Sequence, residues 1–259
     1  MGQFFSTILI NPLLNALIWL YDVIPGHDMG VAIILLTLVI KIVLFLPSLS
    51  SIKSQHQLQS IQPKVDAIRK KYASSKDIMG QKLMELYKEN KVNPFSSCLP
   101  LLIQLPIIWA LFRVFMDIQK VDAAGVLTPD IAHSLYGWLQ AKYTTLPIDK
   151  MFLGFVDLSA TKNYILAVLA GGLSFLQAWM MQSRKPAVKT EGAKDENIAA
   201  AMTKNTMYLL PIMTVFFGIS FPAGVTLYWV ASTAFTIIQQ WYFIRRHKSP
   251  TVEQEMNKV

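Results

Sequence analysis

The sequence MGVAIILLTLVIKIVLFLPSL, residues 29–49, is an apolar run of membrane length that contains one charged side chain, Lys41. At about 1.5 Å per residue, a helix of this length reaches roughly 31 Å, enough to cross the hydrocarbon core of a bilayer. A charge inside that core costs about 3 kcal/mol on insertion scales, so Lys41 either extends to the interface or faces a wet, polar cavity. Its position alone leaves both possibilities open.

The composition is that of a membrane protein. Of the 259 residues, 53% are hydrophobic and 15% are charged, and the mean hydropathy is +0.38. These values are typical of a polytopic membrane protein rather than a soluble domain. We therefore predict an all-α membrane protein with five transmembrane helices, at residues 29–50, 94–117, 163–183, 205–221 and 222–244. The fourth is short and joins the fifth almost directly, which favours a hairpin in a thinned bilayer.

Within the N-terminal segment 1–28, residues 4–21 form another apolar stretch, which has no basic residue ahead of it and is therefore a poor signal peptide. A helix beginning at Pro12 places Asn15 and Asp22 off its apolar side. The apolar side consists of Leu13, Ala16, Leu17 and Leu20. This pattern predicts an amphipathic interfacial helix, and a sixth span is the alternative.

The basic residues predict the orientation. Nine lie in residues 51–93, five in the 184–204 loop and four in the 245–259 tail, whereas residues 1–28 have none and the 118–162 loop has four. Lys and Arg accumulate on the cytoplasmic side of membrane proteins. We therefore expect an external N-terminus, an external 118–162 loop and a cytoplasmic C-terminus. An odd number of spans is required, which favours five spans and a surface position for the N-terminal helix.

The cytoplasmic segment 51–93 has the pattern of a helical hairpin with a polar turn at residues 73–76. Apolar residues recur at helical spacing on its two arms, at Leu58, Ile61, Val65, Ile68 and Tyr72, then at Ile78, Leu83, Leu86 and Tyr87. Pro63 should kink or delay the first arm. The basic residues of this segment have three possible explanations: a solvated helical face, attraction to anionic lipid, or contact with nascent chains or ribosomal RNA. The candidate contact residues are Lys64, Arg69, Lys70 and Lys71.

The sequence contains no catalytic constellation. None of the four histidines lies inside a predicted span, so neither a metal site nor a Ser-His intramembrane protease has its parts. The single cysteine, Cys98, cannot form an internal disulfide. We therefore predict a protein that is not an enzyme and has no cofactor.

Isolated uncharged polar residues do occur in the spans, at Thr37, Gln104, Gln177, Thr214, Ser232, Gln239 and Gln240. Such groups commonly form hydrogen bonds between membrane helices, at roughly 0.6 kcal/mol each. Alternatively, several of them share a hydrated pocket with Lys41.

Three motifs carry a family resemblance: NPFSSCLPLLIQLP at residues 93–106, FVDLS at 155–159 and FPAGVTLYW at 221–229. The chain resembles the YidC/Oxa/Alb family of membrane protein insertases from the first span to the last. The resemblance implies five spans around a hydrophilic groove that is open to lipid and cytoplasm and closed toward the outside, with a cytoplasmic hairpin after the first span.

The resemblance also implies a site. Lys41 stands where family members typically place a groove arginine. The positive charge is therefore kept, but the planar guanidinium, which can bind a carboxylate through two parallel hydrogen bonds, is not. Gln177 and Trp229 align with groove-facing positions. The predicted groove lining is therefore Thr37, Gln104, Gln177, Trp229 and Ser232 around Lys41.

The function implied is that of an inner-membrane insertase and chaperone that works without nucleotide hydrolysis. Its expected partners are nascent membrane proteins with short acidic outer segments and membrane lipids, with the Sec translocon and the ribosome as further candidates and no nucleic-acid substrate. The chain looks like a minimal bacterial form, and its short basic tail fits inner-leaflet anchoring. The alternatives are a small anion transporter or channel with Lys41 as the binding charge, and a non-catalytic membrane-protein assembly factor.

Overall fold

A computed structural model describes residues 5–93, 99–122, 124–181 and 208–246, which are mostly helical. The chain folds into two compact units. Unit 1 contains Met1–Leu44, Leu101–Ser174 and Pro211–Phe235, and unit 2 contains Phe45–Pro100, Phe175–Leu210 and Thr236–Val259. The predicted 184–204 loop, Cys98 and the tail beyond Arg246 lie outside the described residues.

The described helices are α1 (Ser6–Val23, with a π-helix at Ser6–Ile10), α2 (Met29–Val43), α3 (Phe45–Ser60), α4 (Gln62–Lys71), α5 (Lys76–Glu89), α6 (Leu99–Ile118), α7 (Pro129–Ala132), α8 (Gly137–Tyr143), α9 (Tyr164–Met181), α10 (Tyr208–Ser220) and α11 (Ala223–Arg246). The strands β1 (Met151–Phe152) and β2 (Val156–Asp157) form an antiparallel hairpin.

The first predicted span differs from expectation, because the helix breaks at Leu44. Pro47 has no N–H to donate to the carbonyl of Val43, and its ring would clash with that carbonyl in a continuous helix. Within the described residues, α1 alone is long and apolar enough to cross a membrane, and α2 with α3 qualifies as one broken span. The five-span layout thus stays a prediction.

The core of unit 1 joins α1, α2 and α6 to the 118–162 segment, which we call the outer segment after its predicted location outside the membrane. Its most completely buried large side chains include Leu14, Leu17 and Ile18 of α1, Ile33 of α2, and Leu111 and Val114 of α6. The outer segment adds Leu127, Ile131, Leu135, Leu139, Tyr143 and Ile148 to the same core. It is therefore a folded part of unit 1, where the sequence had indicated only a loop.

The buried side of α1 was predicted only in part, because Leu17 and Leu20 are buried as expected but Asn15 is buried with them. Asn15 is only 6% exposed and lies with Leu14, Leu17, Ile18 and Tyr21 on the packed side, whereas Leu13 and Ala16 are only half-buried. The outer segment explains the difference, because it satisfies the amide. Asn15 Nδ2 donates to the carbonyls of Asn11 (2.8 Å) and Ser134 (2.9 Å), and Asn15 Oδ1 accepts from the amide of Tyr136 (2.7 Å).

A second polar contact joins the end of α1 to the outer segment. The carboxylate of Asp22 accepts hydrogen bonds from Lys142 Nζ and from Tyr143 Oη, the latter at 2.7 Å. Burial, followed by the hydrogen bond to Asp22, raises the pKa of Tyr143 well above its ordinary value, so its hydroxyl stays a donor at neutral pH. The outer segment thus holds α1 at two places.

Two of the sequence motifs meet at the turn between α10 and α11. The amide of Gly224 donates to the carbonyl of Leu158 (2.9 Å), and the amide of Ala223 donates to that of Ala160 (2.9 Å). Next to them, the amide of Lys162 donates to the carbonyl of Ile219 (2.9 Å). The FVDLS motif therefore leads into a segment that is bonded to the ends of both helices.

In unit 2, α4 and α5 form the predicted helical hairpin. Ile61, Val65, Leu86 and Val92 are buried between its arms, with Leu58, Ile68, Leu83 and Tyr87 packed against them. Pro63 lies in the first turn of α4, after the break at Ile61, as its missing N–H requires. Ile78 was predicted incorrectly to line the hairpin, because it is 46% exposed.

The contacts of Asn15 generate a stability prediction. Asn15→Ala leaves the Ser134 carbonyl and the Tyr136 amide without their partner, so we expect a loss of about 2–6 kcal/mol, at roughly 1–3 kcal/mol for each unsatisfied group. Thermal unfolding in detergent, followed by tryptophan fluorescence, should show a lower midpoint. Asn11→Ala is the matched control, because Asn11 contributes its backbone carbonyl to this contact. Equal midpoints for the two variants would contradict the assignment.

Candidate functional site

Lys41 lies in unit 1, in the last turn of α2, and is partly buried. The neighbouring Ile42 and Val43 are 66% and 73% exposed, so this end of an apolar helix presents large apolar side chains outward. A cation in the last turn of a helix also interacts favourably with the partial negative charge of the helix end. The position thus supplies one positive charge at the end of a helix that is otherwise apolar.

Thr37 precedes Lys41 by one helical turn but is fully buried. Its hydroxyl donates to the carbonyl of Ile33 at 2.7 Å within the same helix. This hydrogen bond accounts for a threonine in an apolar helix without any groove. In this structure Thr37 is therefore buried in unit 1, whereas Lys41 is partly exposed.

A polar network connects α6 and α11 in unit 1. Gln104 Nε2 donates to the hydroxyl of Tyr228, and Tyr228 is also hydrogen-bonded to Ser232, one turn further along α11. Tyr228 and Ser232 are only 3% and 6% exposed, whereas Gln104 is half-buried. Two predicted lining residues, Gln104 and Ser232, are thus brought together through Tyr228.

Tyr228 is the residue that the sequence analysis missed. It stands in the FPAGVTLYW motif, four residues before Ser232, so helical spacing could have indicated that the two side chains share one side of α11. The contact with Gln104 lies 124 positions away in sequence, and no local signal could have predicted it.

The other two lining candidates are half-buried. Trp229 follows Tyr228 on α11 in unit 1, and Gln177 lies on α9 in unit 2. Grouping Gln177 with Lys41 in one site stays a prediction.

The basic candidates of the hairpin lie on α4. Lys64, Lys70 and Lys71 are exposed, and Arg69 is partly exposed with its guanidinium 4.0 Å from the carboxylate of Asp66. Arg69, Lys70 and Lys71 form the last turn of α4, where cations stabilise a helix. Their arrangement suits a solvated basic surface that remains available to a partner. No group of three or more His, Cys, Asp and Glu side chains within the described ranges could bind a metal.

Comparison with known proteins identifies similar chains. The family model described as "60Kd inner membrane protein" matches residues 19–250. The membrane protein insertase YidC of Fusobacterium nucleatum is 35% identical over 219 residues, which cover 85% of this chain and 87% of the relative. Membrane protein insertase YidC 1 of Lactococcus lactis is 34% identical over 244 residues, or 90% of this chain and 77% of the relative.

Some relatives are much longer than this chain. The membrane protein insertase YidC of Geobacter metallireducens is 30% identical over 235 residues, and the match covers 91% of this chain but 36% of the relative. The similarity therefore includes nearly the whole of this chain and about a third of such relatives.

The polar network generates a prediction about stability. Tyr228→Phe removes the hydroxyl that joins Gln104 to Ser232, so we expect a loss of about 1 kcal/mol. Combining it with Gln104→Leu should cost less than the sum of the two single changes, because both remove the same hydrogen bond. Denaturant unfolding in detergent measures both effects. Tyr164→Phe, at a tyrosine that is 61% exposed, is the control, and strict additivity would contradict the network.

Proposed function

Because the chain belongs to the family of YidC membrane protein insertases, we propose that it inserts nascent membrane proteins into the bilayer through a positively charged, hydrophilic groove. The function of this family is membrane protein insertion, and it is not a family of catalytic enzymes. The proposed activity consumes no nucleotide. It also helps the inserted clients to fold.

The observation that carries this proposal is the position of Lys41 on an apolar helix, in the same unit as the Gln104–Tyr228–Ser232 network. A lysine and a polar network inside membrane-length segments are costly unless they face one another, water or a polar ligand. We propose that Lys41, Gln104, Gln177, Trp229 and Ser232 line the groove. Thr37, one helical turn before Lys41, is fully buried and is therefore left out of this proposed lining.

The groove draws in the acidic outer segment of a client. Opposite charges 4 Å apart gain about 4 kcal/mol at an effective dielectric constant of 20, which offsets part of the cost of desolvating a carboxylate. Release is driven by the transfer of about 20 apolar client residues into lipid. The membrane potential adds about 2.3 kcal/mol for each acidic charge that moves outward across 100 mV.

We propose five spans in the inner membrane, with the N-terminus outside and the C-terminus in the cytoplasm, at the boundaries predicted from the sequence. Two contacts support a position of α1 on the outer side. Asn15 and Asp22 bind the outer segment, whereas Phe5 packs edge-on against Trp109, nine residues before the end of α6. In this layout α1 slopes from the outer surface into the outer leaflet.

The outer segment supports a groove that is closed toward the outside. Its backbone bonds to Ile219, Ala223 and Gly224 tie it to the turn between α10 and α11, and its side chains hold α1. A polar client segment would have to break these contacts to pass directly outward. In the proposed mechanism the client therefore leaves sideways, toward lipid.

On the cytoplasmic side, the α4–α5 hairpin meets the emerging client first. The exposed basic residues Lys64, Arg69, Lys70 and Lys71 support contact with acidic client segments and with anionic lipid. We propose the Sec translocon and the ribosome as further partners at this surface. The basic tail anchors the chain to the inner leaflet, and no nucleic acid is a substrate.

The groove charge leads to a functional prediction. Lys41→Met keeps the apolar stem but removes the charge, and we expect insertion of a one-span client with an acidic outer tail to fall about tenfold, the ratio produced by 1.4 kcal/mol. Lys41→Arg keeps the charge and should therefore retain most of the wild-type insertion, with slower release of the client because a guanidinium holds a carboxylate through two hydrogen bonds. Protease protection in liposomes that contain the purified protein measures both.

Three controls separate the possible readings. Lys162→Ala removes one positive charge from an exposed position of the outer segment and should leave insertion unchanged. A client with a neutral outer tail should be insensitive to Lys41→Met.

Equal insertion by wild type and Lys41→Met would make Lys41 a residue that extends to the interface. No insertion above that of empty vesicles would favour an assembly factor, and client-independent anion flux would favour a transporter or channel.

The hairpin leads to a second prediction. Replacing Arg69, Lys70 and Lys71 by glutamine should weaken photocrosslinking of a ribosome-bound client to the hairpin several-fold at low salt, since exposed charges act through screened attraction. Replacing Lys76, Lys82 and Lys88 on α5 by glutamine removes the same number of charges and is the matched control. If both triple variants weakened photocrosslinking equally, the net charge of the hairpin, and not the particular surface of α4, would be responsible for client contact.

A further inference from the structure

The β1–β2 hairpin of the outer segment exposes two large apolar side chains. Leu153 is 58% exposed and Phe155 is 73% exposed, although a core of unit 1 lies directly beneath the strand residues Phe152 and Val156. Large exposed apolar side chains close together indicate an interaction surface more often than a solvated one. We call Leu153, Gly154 and Phe155 the hairpin tip.

The conformation of the tip is strained. Leu153 has a φ of +52° and Gly154 a φ of +76°, which together form the kind of turn that favours asparagine and glycine. A leucine in the left-handed region costs roughly 1–2 kcal/mol relative to the residues that usually occupy it. Because Leu153 is 58% exposed, the fold gains little buried surface from this side chain, and its apolar character points to something outside the fold.

The hairpin is fixed to the N-terminal end of α2. The carboxylate of Asp28 accepts from the amide of Val31 through Oδ1 (2.9 Å) and from the amide of Leu153 through Oδ2 (2.6 Å). Phe152 lies over Gly30, where an added Cβ would come within 2.1 Å of its ring. The tip is therefore held at the level at which the apolar helix begins.

The other end of the hairpin is fixed at a similar level. Strand β2 continues into Leu158, whose carbonyl accepts from the amide of Gly224 at the start of α11. The strands thus run between the ends of two apolar helices, α2 and α11. Ends of membrane-spanning helices lie at the boundary between hydrocarbon and water, where exposed Leu and Phe side chains gain from entering the lipid.

We propose that the hairpin tip inserts Leu153 and Phe155 into the outer leaflet and anchors the outer segment to the lipid surface. Asp28 fixes the depth of the tip, because one carboxylate holds both the first turn of α2 and the turn of the hairpin. The occupant is phospholipid and not a client, so the contact exists in the resting protein. The proposal rests on the outward position of the start of α2 and not on insertase activity.

The test places a fluorescent reporter at the tip. In the full chain with its single cysteine changed, Cys98→Ser, Phe155→Cys is labelled with an environment-sensitive dye and reconstituted in phosphatidylethanolamine–phosphatidylglycerol vesicles without client. Thr145→Cys, which is exposed on the same outer segment, is the matched control. We expect the dye at residue 155 to show blue-shifted emission, strong quenching by nitroxide lipids and several-fold weaker quenching by iodide than the dye at residue 145.

Equal iodide quenching at residues 155 and 145 would overturn the proposal. Shielding of residue 155 that appears only after client is added would also overturn it and would make the tip a client contact. A second variant separates anchoring from folding. Leu153→Asn relieves the left-handed strain, so its unfolding midpoint in detergent should not fall, while iodide quenching of the dye at residue 155 should rise. A lower midpoint without any change in quenching would make Leu153 a purely structural residue.

Discussion

The carboxylate of Asp28 joins two parts of the fold that lie more than a hundred residues apart in sequence. One oxygen satisfies an amide in the first turn of α2, and the other satisfies the amide of Leu153 in the hairpin turn. Amides at a helix N-terminus have no intrahelical partner, and a membrane helix must satisfy them before it enters lipid. The same hydrogen bonds that begin α2 therefore also position the outer segment, which in turn holds α1 and the turn between α10 and α11.

The sequence predicted those elements whose pattern is local. The hairpin of α4 and α5 is visible in its apolar spacing, its polar turn and Pro63, and in the structure most of the residues with this spacing pack between the two arms. Local patterns failed where a distant segment supplied the partner. Asn15 looks like a solvent-facing residue until Ser134 and Tyr136 satisfy its amide, and the break at Leu44 depends on Pro47 within a run whose hydropathy indicates continuity.

In the candidate site, too, local features could be predicted from the sequence and contacts between distant segments could not. Lys41 could be identified from the sequence because a charge in an apolar run is costly wherever its side chain points. Its polar neighbours could be named only as types of residue, since hydrogen bonds between membrane helices depend on helix rotation, which hydropathy does not encode. Thus Gln104 and Ser232 meet through Tyr228, which sequence reasoning overlooked, whereas Thr37 satisfies its hydroxyl within its own helix.

In the proposed mechanism Lys41 lines the groove and no nucleotide is hydrolysed, and a lysine in place of an arginine suits both features. The energy for release would then come from the burial of the client's apolar residues and from the membrane potential, so the proposed groove would have to hold an acidic segment weakly enough to let it go. An ammonium attracts a carboxylate as a point charge, whereas a guanidinium adds two parallel hydrogen bonds that must be broken at release. In this proposed mechanism the lysine shifts the balance from a tight hold toward rapid release, and the hydrogen bonds of the outer segment restrict the direct route outward.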